Sequence, residues 1–183
     1  MLFSNSYAKR LTALGLTPPK RDVLCDISQI ESRASVRLPK SYKSFLKQCG
    51  GWWGNLVCDC TEPTPFGSHN VAGFYVADEV YQLLDSCIAP RNTIVIAVGN
   101  LGKHTLLSVA GVDYGSVYAL DSEFRSRWDD EKFYRRFPDL ADEIKWYLEL
   151  RRTGRLPEKH DSYGSLYHVA NDFDEFIAKC RAV

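Results

Sequence analysis

The segment LPKSYKSFLKQCGG, residues 38–51, constrains the fold of this chain more than any other stretch. Pro39 suits the first turn of a helix, where a missing backbone N–H costs nothing. Apolar side chains then recur at i, i+3, i+4 and i+7, which is one face of a helix. They are Tyr42, Phe45, Leu46 and Cys49. We expect Gly50 to end the helix in the left-handed conformation. The pattern predicts a short core helix with a tight exit.

Two tryptophans, Trp52 and Trp53, follow this helix directly. Large aromatic side chains are highly buried on average, so at least one of the pair is expected in the core. Tryptophan is also enriched among the residues that dominate binding energy. The other indole is therefore a candidate anchor for a protein partner.

The composition is that of a soluble globular protein. The chain has 183 residues, of which 45% are hydrophobic and 25% charged, enough for a single domain spanning residues 1–183 with a sizeable core. The 23 basic residues equal the 23 acidic residues, so the formal net charge is zero. That balance argues against broad nucleic-acid binding, which needs a basic footprint.

Targeting and redox signals indicate the cytoplasm. Residues 1–19 lack the apolar run of a signal peptide, and no stretch approaches the length of a membrane span. The six cysteines form no C-x-x-C pair. Cys25, Cys49 and Cys180 lie on apolar helical faces and are expected to be buried thiols. We expect a reducing, cytoplasmic location and no membrane contact.

The centre of the chain has the pattern of a sheet. Residues 93–99, TIVIAVG, are apolar and β-branched, which predicts a buried strand. Residues 104–110 and 115–121 predict the next two strands, joined by turns at NLGK and GVDYG. These three strands should form an antiparallel meander.

Helices are predicted on both sides of this meander. The N-terminal ones cover residues 4–15, 21–34 and 78–87, the last begun by Asp78, with a strand at 55–60 and a loop at 61–70. The C-terminal elements are a helix at 139–153, a short strand at 166–170 and a closing helix capped by Asn171. The fold class is therefore α+β, a central antiparallel sheet flanked by N-terminal and C-terminal helices.

No motif in the sequence carries a recognisable chemistry. GNLGKH contains Gly-Lys but lacks the spacing and the hydroxyl of a phosphate-binding loop, so we interpret it as a turn. Cys58, Cys60, His69 and His104 could approach a zinc ion, but a C-x-C unit matches structural zinc sites poorly. No nucleophile stands in a known catalytic context. A small hydrolase or metal-dependent enzyme that uses these histidines and cysteines remains the least favoured alternative.

Three pieces of the chain, in this order, resemble the SUKH superfamily. The first is Ile30-Glu31 followed by LPKSYKSFLKQCGG. The second is IAVGNLGKHTLLSV with GVDYGSVYALD, and the third is VANDFDEFIAKC. The resemblance covers about residues 23–181. It implies an α+β fold, no enzymatic activity and no cofactor.

The same resemblance implies a function through a protein partner. Bacterial members of the superfamily typically bind and neutralise a toxin domain, often a nuclease, that a competing or sibling cell delivers. Fungal members regulate cell-wall synthesis, so a regulatory scaffold is the alternative. Against the family's plain form, residues 1–20 are expected to be an N-terminal extension and residues 122–165 a helical embellishment.

Candidate partner-binding residues follow from position and charge. Loops should emerge just after the helix exit and at the end of the hairpin, where an inhibitor could present aromatic and acidic side chains. Because the net charge is zero, any acidic field that steers a basic toxin would have to be local. The candidates are Trp53, Asp59, Glu62, Asp121 and Glu123.

Overall fold

A computed structural model describes nine parts of the chain: residues 6–19, 26–61, 64, 67–84, 89, 92–100, 103–111, 113–120 and 166–183. Five helices lie in these parts: α1 (Ser6–Ala13), α2 (Ile27–Ala34), α3 (Lys40–Cys49), α4 (Ala77–Leu83) and α5 (Phe173–Lys179). Seven strands accompany them: β1 (Trp53–Cys58), β2 (His69–Phe74), β3 (Thr93–Val98), β4 (His104–Ser108), β5 (Val117–Leu120), β6 (Leu166–Ala170) and β7 (Arg181–Ala182).

The seven strands form one antiparallel sheet in the order β6-β5-β4-β3-β2-β1-β7. The predicted meander is confirmed, because β3, β4 and β5 are consecutive neighbours. The predicted turn is confirmed as well, since the Gly99 N–H donates to the Lys103 carbonyl over 2.7 Å. Helices and an antiparallel sheet together give the α+β class that the sequence predicts.

The sheet curls strongly. Thr61, which follows β1, donates its N–H to the His168 carbonyl of β6 over 2.8 Å. Four strands separate β1 from β6 in the sheet order, so this hydrogen bond requires the sheet to bend round on itself. The Thr61 hydroxyl also lies 3.1 Å from His168 Nδ1. These contacts hold the segment that follows β1 against β6, the strand at one end of the sheet order.

Helix α3 is the core helix that its sequence predicts. Tyr42, Phe45, Leu46 and Cys49 are all buried. The Phe45 ring contacts the rings of Phe74 and Phe173 edge-on, with centroids 4.8 and 4.7 Å apart, a favourable aromatic geometry. Helix α3 therefore joins a sheet strand to the closing helix through one aromatic cluster.

The left-handed residue after α3 is Gly51, so the expectation for Gly50 is wrong. Gly50 has φ −59°, whereas Gly51 has φ +81°. The chain turns one residue later because the Gly51 N–H donates to the Phe74 carbonyl over 2.9 Å. A side chain at Gly51 would also place its Cβ 2.7 Å from Val76 Cγ1. A Cβ at Gly50 would lie 2.8 Å from the Leu46 carbonyl oxygen, so position 50 also needs a glycine.

The Glu31 side chain links α2 to the start of α3. Its Oε1 accepts hydrogen bonds from the Leu38 N–H over 2.8 Å and from Lys43 Nζ over 3.0 Å. These bonds hold the pKa of the Glu31 carboxyl below its ordinary value, the Leu38 N–H having the larger effect. One carboxylate thus fixes the connection between α2 and α3.

The N-terminal helix packs on the closing helix. The Tyr7 hydroxyl donates to Asp174, and Arg10 Nη2 donates to the carbonyls of Ala178 and Cys180, each over 3.0 Å. A cation at the C-terminal end of a helix satisfies carbonyls that lack a helical partner. Leu11 is fully buried in the same core. The sequence predicts an extension here, and α1 contributes to the core.

Three local predictions need correction. The cap of α5 is Asp172, whose side chain accepts from the Glu175 N–H over 2.8 Å, and not Asn171. Helix α4 begins at Ala77, with Glu79 accepting from the Val76 N–H, so Asp78 does not start it. The loop predicted at 61–70 ends earlier, because β2 begins at residue 69. The helix predicted at 139–153 lies outside the described residues.

Candidate protein-binding surface

One tryptophan of the pair enters the core and the other does not. Trp52 is 8% exposed and Trp53 is 49% exposed, which confirms that one indole fills the core. Trp53 is the first residue of β1. Trp53, the member of the pair that the sequence analysis names as a candidate partner-binding residue, is the indole that the exit from α3 leaves exposed.

The exposed Trp53 is held between two neighbours. In the sheet it pairs with Gly73, and a Cβ built at Gly73 would lie 2.6 Å from Trp53 Cδ2. The indole therefore occupies the space that a side chain at position 73 would take. On the other side, Thr17 and Trp53 exchange backbone hydrogen bonds of 2.8 and 3.0 Å. An aromatic fixed in this way loses little entropy when a partner covers it.

The C-terminus completes the same edge of the sheet. Strand β7 pairs antiparallel with β1, and the Val183 N–H donates to the Asn55 carbonyl over 3.3 Å. Val183 is 83% exposed. We name this region the β1 edge surface. It comprises Trp53, Asn55, Val57, Asp59, Ser68, Arg181 and Val183.

Asp59 is engaged in an ion pair within this surface. Arg181 donates to both carboxylate oxygens, with Nη1–Oδ2 at 2.8 Å and Nη2–Oδ1 at 3.0 Å. The Ser68 hydroxyl donates to Oδ1 over 2.6 Å. These bonds, that of Arg181 first, lower the pKa of Asp59 to about 2. Asp59 therefore presents a paired charge and ties the C-terminal strand to the end of β1.

The predicted binding residues do not form one compact group. Trp53 begins β1 and Asp59 directly follows its last residue, six positions along, which is about 20 Å in an extended chain. A standard protein interface is large enough to cover both. Glu62, Asp121 and Glu123 lie outside the described residues. Sequence reasoning missed Gly73 and Arg181, because neither stands in a local motif and Arg181 is distant in sequence from Asp59.

Of the residues considered for catalysis, His69, His104 and Cys58 are buried, whereas Cys60 is partly exposed. Desolvation lowers the pKa of His69 to about 3, so its ring is neutral, and its Nε2 lies 2.8 Å from Thr105 Oγ1. The Cys58 thiol has a raised pKa because of its hydrogen bond with Cys180 and its burial. A protonated thiol is a poor nucleophile and a poor metal ligand. His104 is buried too.

The metal alternative finds no cluster in the part of the chain that the structure describes. There, no three His, Cys, Asp or Glu side chains come together in a way that could hold an ion. Cys58 faces Cys180 on the core side, whereas Cys60 lies beyond the end of β1.

Within the described ranges, no helix is both long and apolar enough to cross a membrane.

The fold and this surface define an α+β domain with a curled antiparallel sheet and an exposed aromatic at one edge. The sequence profile of the SMI1/KNR4 family (SUKH-1) matches residues 25–179, more than four-fifths of the chain. The chain belongs to this family, which confirms the resemblance. The family is known for immunity proteins and related regulators, and it is generally non-enzymatic. No curated protein and no solved structure matches the chain.

Two elements outside the matched range complete β1. The bridge residue Thr17 precedes residue 25, and β7 follows residue 179. Thr17 pairs with the start of β1, and β7 pairs with its middle. An unpaired edge strand invites association with other chains, so these additions also protect the sheet. The surroundings of Trp53 are therefore built partly by Thr17, which lies outside the range that the family profile matches.

Proposed function

We propose that this chain is an immunity protein that binds a cognate bacterial toxin domain and neutralises it by direct protein–protein inhibition in the cytoplasm. The observation that carries the proposal is the half-exposed indole of Trp53, immobilised against Gly73 at the edge of the sheet. Family membership supports the class of function. The β1 edge surface is the proposed contact.

The Trp53 side chain is preorganised for binding. Binding residues that are already ordered avoid part of the entropy cost of association. Trp53 is fixed by strand pairing on one side and by Thr17 on the other. A central aromatic anchor surrounded by polar residues is the usual arrangement of a binding hot spot. Asn55 and the Asp59–Arg181 pair are polar neighbours of this kind.

Inhibition of this kind requires no cofactor. The domain has only to cover the toxin's active site or to hold an inactive conformation. If the toxin is a nuclease with a basic active site, Glu62, Asp121 and Glu123 are proposed to add acidic contacts that speed association. Asp59 contributes less to such a field, because Arg181 already neutralises it.

The complex itself is the test. The candidate toxin is the C-terminal domain of the polypeptide encoded beside this gene, made as an inactive variant and mixed with this chain. We expect one stable complex by size-exclusion chromatography, with strong dissociation caused by Trp53→Ala. Two separate elution peaks at micromolar concentration would refute the pairing.

The alternative is a regulatory scaffold, the other role known in the family. A scaffold would bind several host proteins with modest affinity rather than one toxin tightly. Affinity capture with the intact chain separates the two, because one dominant stoichiometric partner indicates immunity. Several weakly retained partners would favour the scaffold.

A further inference from the structure

A groove of about 580 Å³ lies between α2 and α3, away from any residue of the β1 edge surface. Helix α3 contributes a row of lysines to one wall, and α2 contributes the other wall. The described residues that line it are Ile27, Ser28, Glu31, Lys40, Lys43, Ser44 and Lys47. The groove therefore combines three cations with one carboxylate.

The positive charge of the groove is concentrated at its two ends. Lys43, in the middle, is neutralised by Glu31, with Nζ–Oε1 at 3.0 Å. Lys40 and Lys47 are exposed, and neither forms an ion pair with another residue of the described ranges. Two cations are thus available to a ligand, separated by a neutral pair.

The spacing of these two cations defines the ligand. Lys40 and Lys47 are seven residues apart, almost two full turns, so they lie on the same face about 10 Å apart along the helix. In a polyproline II segment, which has three residues per turn, side chains three residues apart share one face and are separated by about 9 Å. Ser44 lies between the lysines, and its hydroxyl can donate while it accepts from Gln48 Nε2 over 3.0 Å.

We infer that the α2–α3 groove binds an acidic segment of a protein partner in the polyproline II conformation, with two carboxylates three residues apart paired to Lys40 and Lys47. The inference rests on the proposed function, because it assigns this acidic segment to the toxin. A nucleic acid fits less well. The described lining contains no aromatic ring for base stacking, and two cations give a small electrostatic footprint.

A capped peptide, Gly-Glu-Ser-Ser-Glu-Gly, tests the groove without the toxin. It is titrated into the intact, isotope-labelled chain, and the lysine ε-methylene signals are followed by NMR. We expect shifts at Lys40 and Lys47, and none with the matched glutamine peptide. The double variant Lys40→Glu/Lys47→Glu should bind the peptide about tenfold more weakly, as two lost exposed ion pairs imply.

Two controls make the result specific. Lys9→Glu changes an exposed lysine of α1 outside the groove and should leave peptide binding unchanged. A Gly-Lys-Ser-Ser-Lys-Gly peptide should bind the double variant and not the wild type. Equal shifts with the glutamine peptide, or stronger groove binding by a single-stranded oligonucleotide, would overturn the inference. Because the toxin is absent from this titration, that failure is distinct from a failure of the immunity complex.

Discussion

The Trp53 indole covers Gly73 on the neighbouring strand, at the position where any other residue would carry a side chain. A Cβ at Gly73 would stand 2.6 Å from Trp53 Cδ2 and 2.7 Å from Cε3, closer than a Cβ atom approaches non-bonded carbon atoms in proteins. Position 73 therefore needs a glycine to accommodate the indole. This pair connects the local structure of β1 and β2 to the proposed binding surface.

Gly73→Ala should displace the Trp53 ring while the sheet persists. The new methyl group cannot share the space with the indole, and β2 remains paired with β1 and β3 around it. We expect a large shift of the Trp53 indole N–H signal in the NMR spectrum and weaker partner binding. Lys9→Ala serves as a control at an exposed site of α1, outside the sheet. An unmoved Trp53 signal in Gly73→Ala would contradict this account of the pair.

Trp53→Ala should weaken toxin binding by about 2 kcal/mol or more, the cost of removing a hot-spot residue. Its effect on the free energy of unfolding should be much smaller, because half of the side chain is exposed. Tyr114→Ala is the matched control, since Tyr114 is a similarly exposed aromatic at 47% outside the β1 edge surface. Titration calorimetry measures the affinities. Equal losses of toxin affinity for the two variants would contradict a specific role of Trp53 in binding.

Arg181→Ala should release the C-terminal strand from β1. The two hydrogen bonds to Asp59 are the main side-chain contacts that hold β7 in place. We expect faster hydrogen exchange at the Val183 amide, with little change in thermal stability, because the pair is exposed. The charge-swapped double variant Asp59→Arg/Arg181→Asp should restore slow exchange. If exchange is unchanged in Arg181→Ala, backbone pairing alone holds β7.

Helix α1 should be required for stability although the family match begins after it. Leu11→Ala removes a fully buried side chain and should cost about 3 kcal/mol, within the usual range for such cavities. Thr12→Ala, on the exposed side of the same helix, should cost far less. Urea unfolding measures both. A negligible change in the free energy of unfolding for Leu11→Ala would show that α1 does not stabilise the domain.

Stability should fall as the solution becomes mildly acidic. The pKa of His69 is about 3 in the folded protein because of burial, whereas an unfolded histidine titrates near 6.5. Between these values the unfolded chain binds one more proton than the folded chain. The free energy of unfolding therefore falls by about 2 kcal/mol from pH 7 to pH 5. Urea unfolding at both pH values measures the loss. His69→Gln should reduce this pH dependence of the free energy of unfolding. An unchanged pH dependence would show that another group controls it.

The sequence predicted the repetitive parts of the fold better than the surface. The meander, the face of α3 and the closing helix follow from local periodicity, which burial enforces residue by residue. The roles of Gly50 and Gly51 could not be predicted, because the Phe74 carbonyl that fixes the turn lies on another strand.

The candidate surface was harder still to predict. Trp53 was identified by its residue type, but its support by Gly73 and Thr17 depends on strand pairing between distant segments. The bond between Asp59 and Arg181 joins residues 122 positions apart. Periodicity carries no information about such contacts, so only the folded structure could show them.

The most direct test of the immunity function is survival. Cells express the C-terminal toxin candidate encoded beside this gene, together with the wild-type chain, with Trp53→Ala or with Tyr114→Ala, and colonies are counted. The account predicts full rescue by the wild type and Tyr114→Ala, and strongly reduced rescue by Trp53→Ala at equal protein levels. A toxic neighbour that the wild-type chain fails to rescue would contradict it.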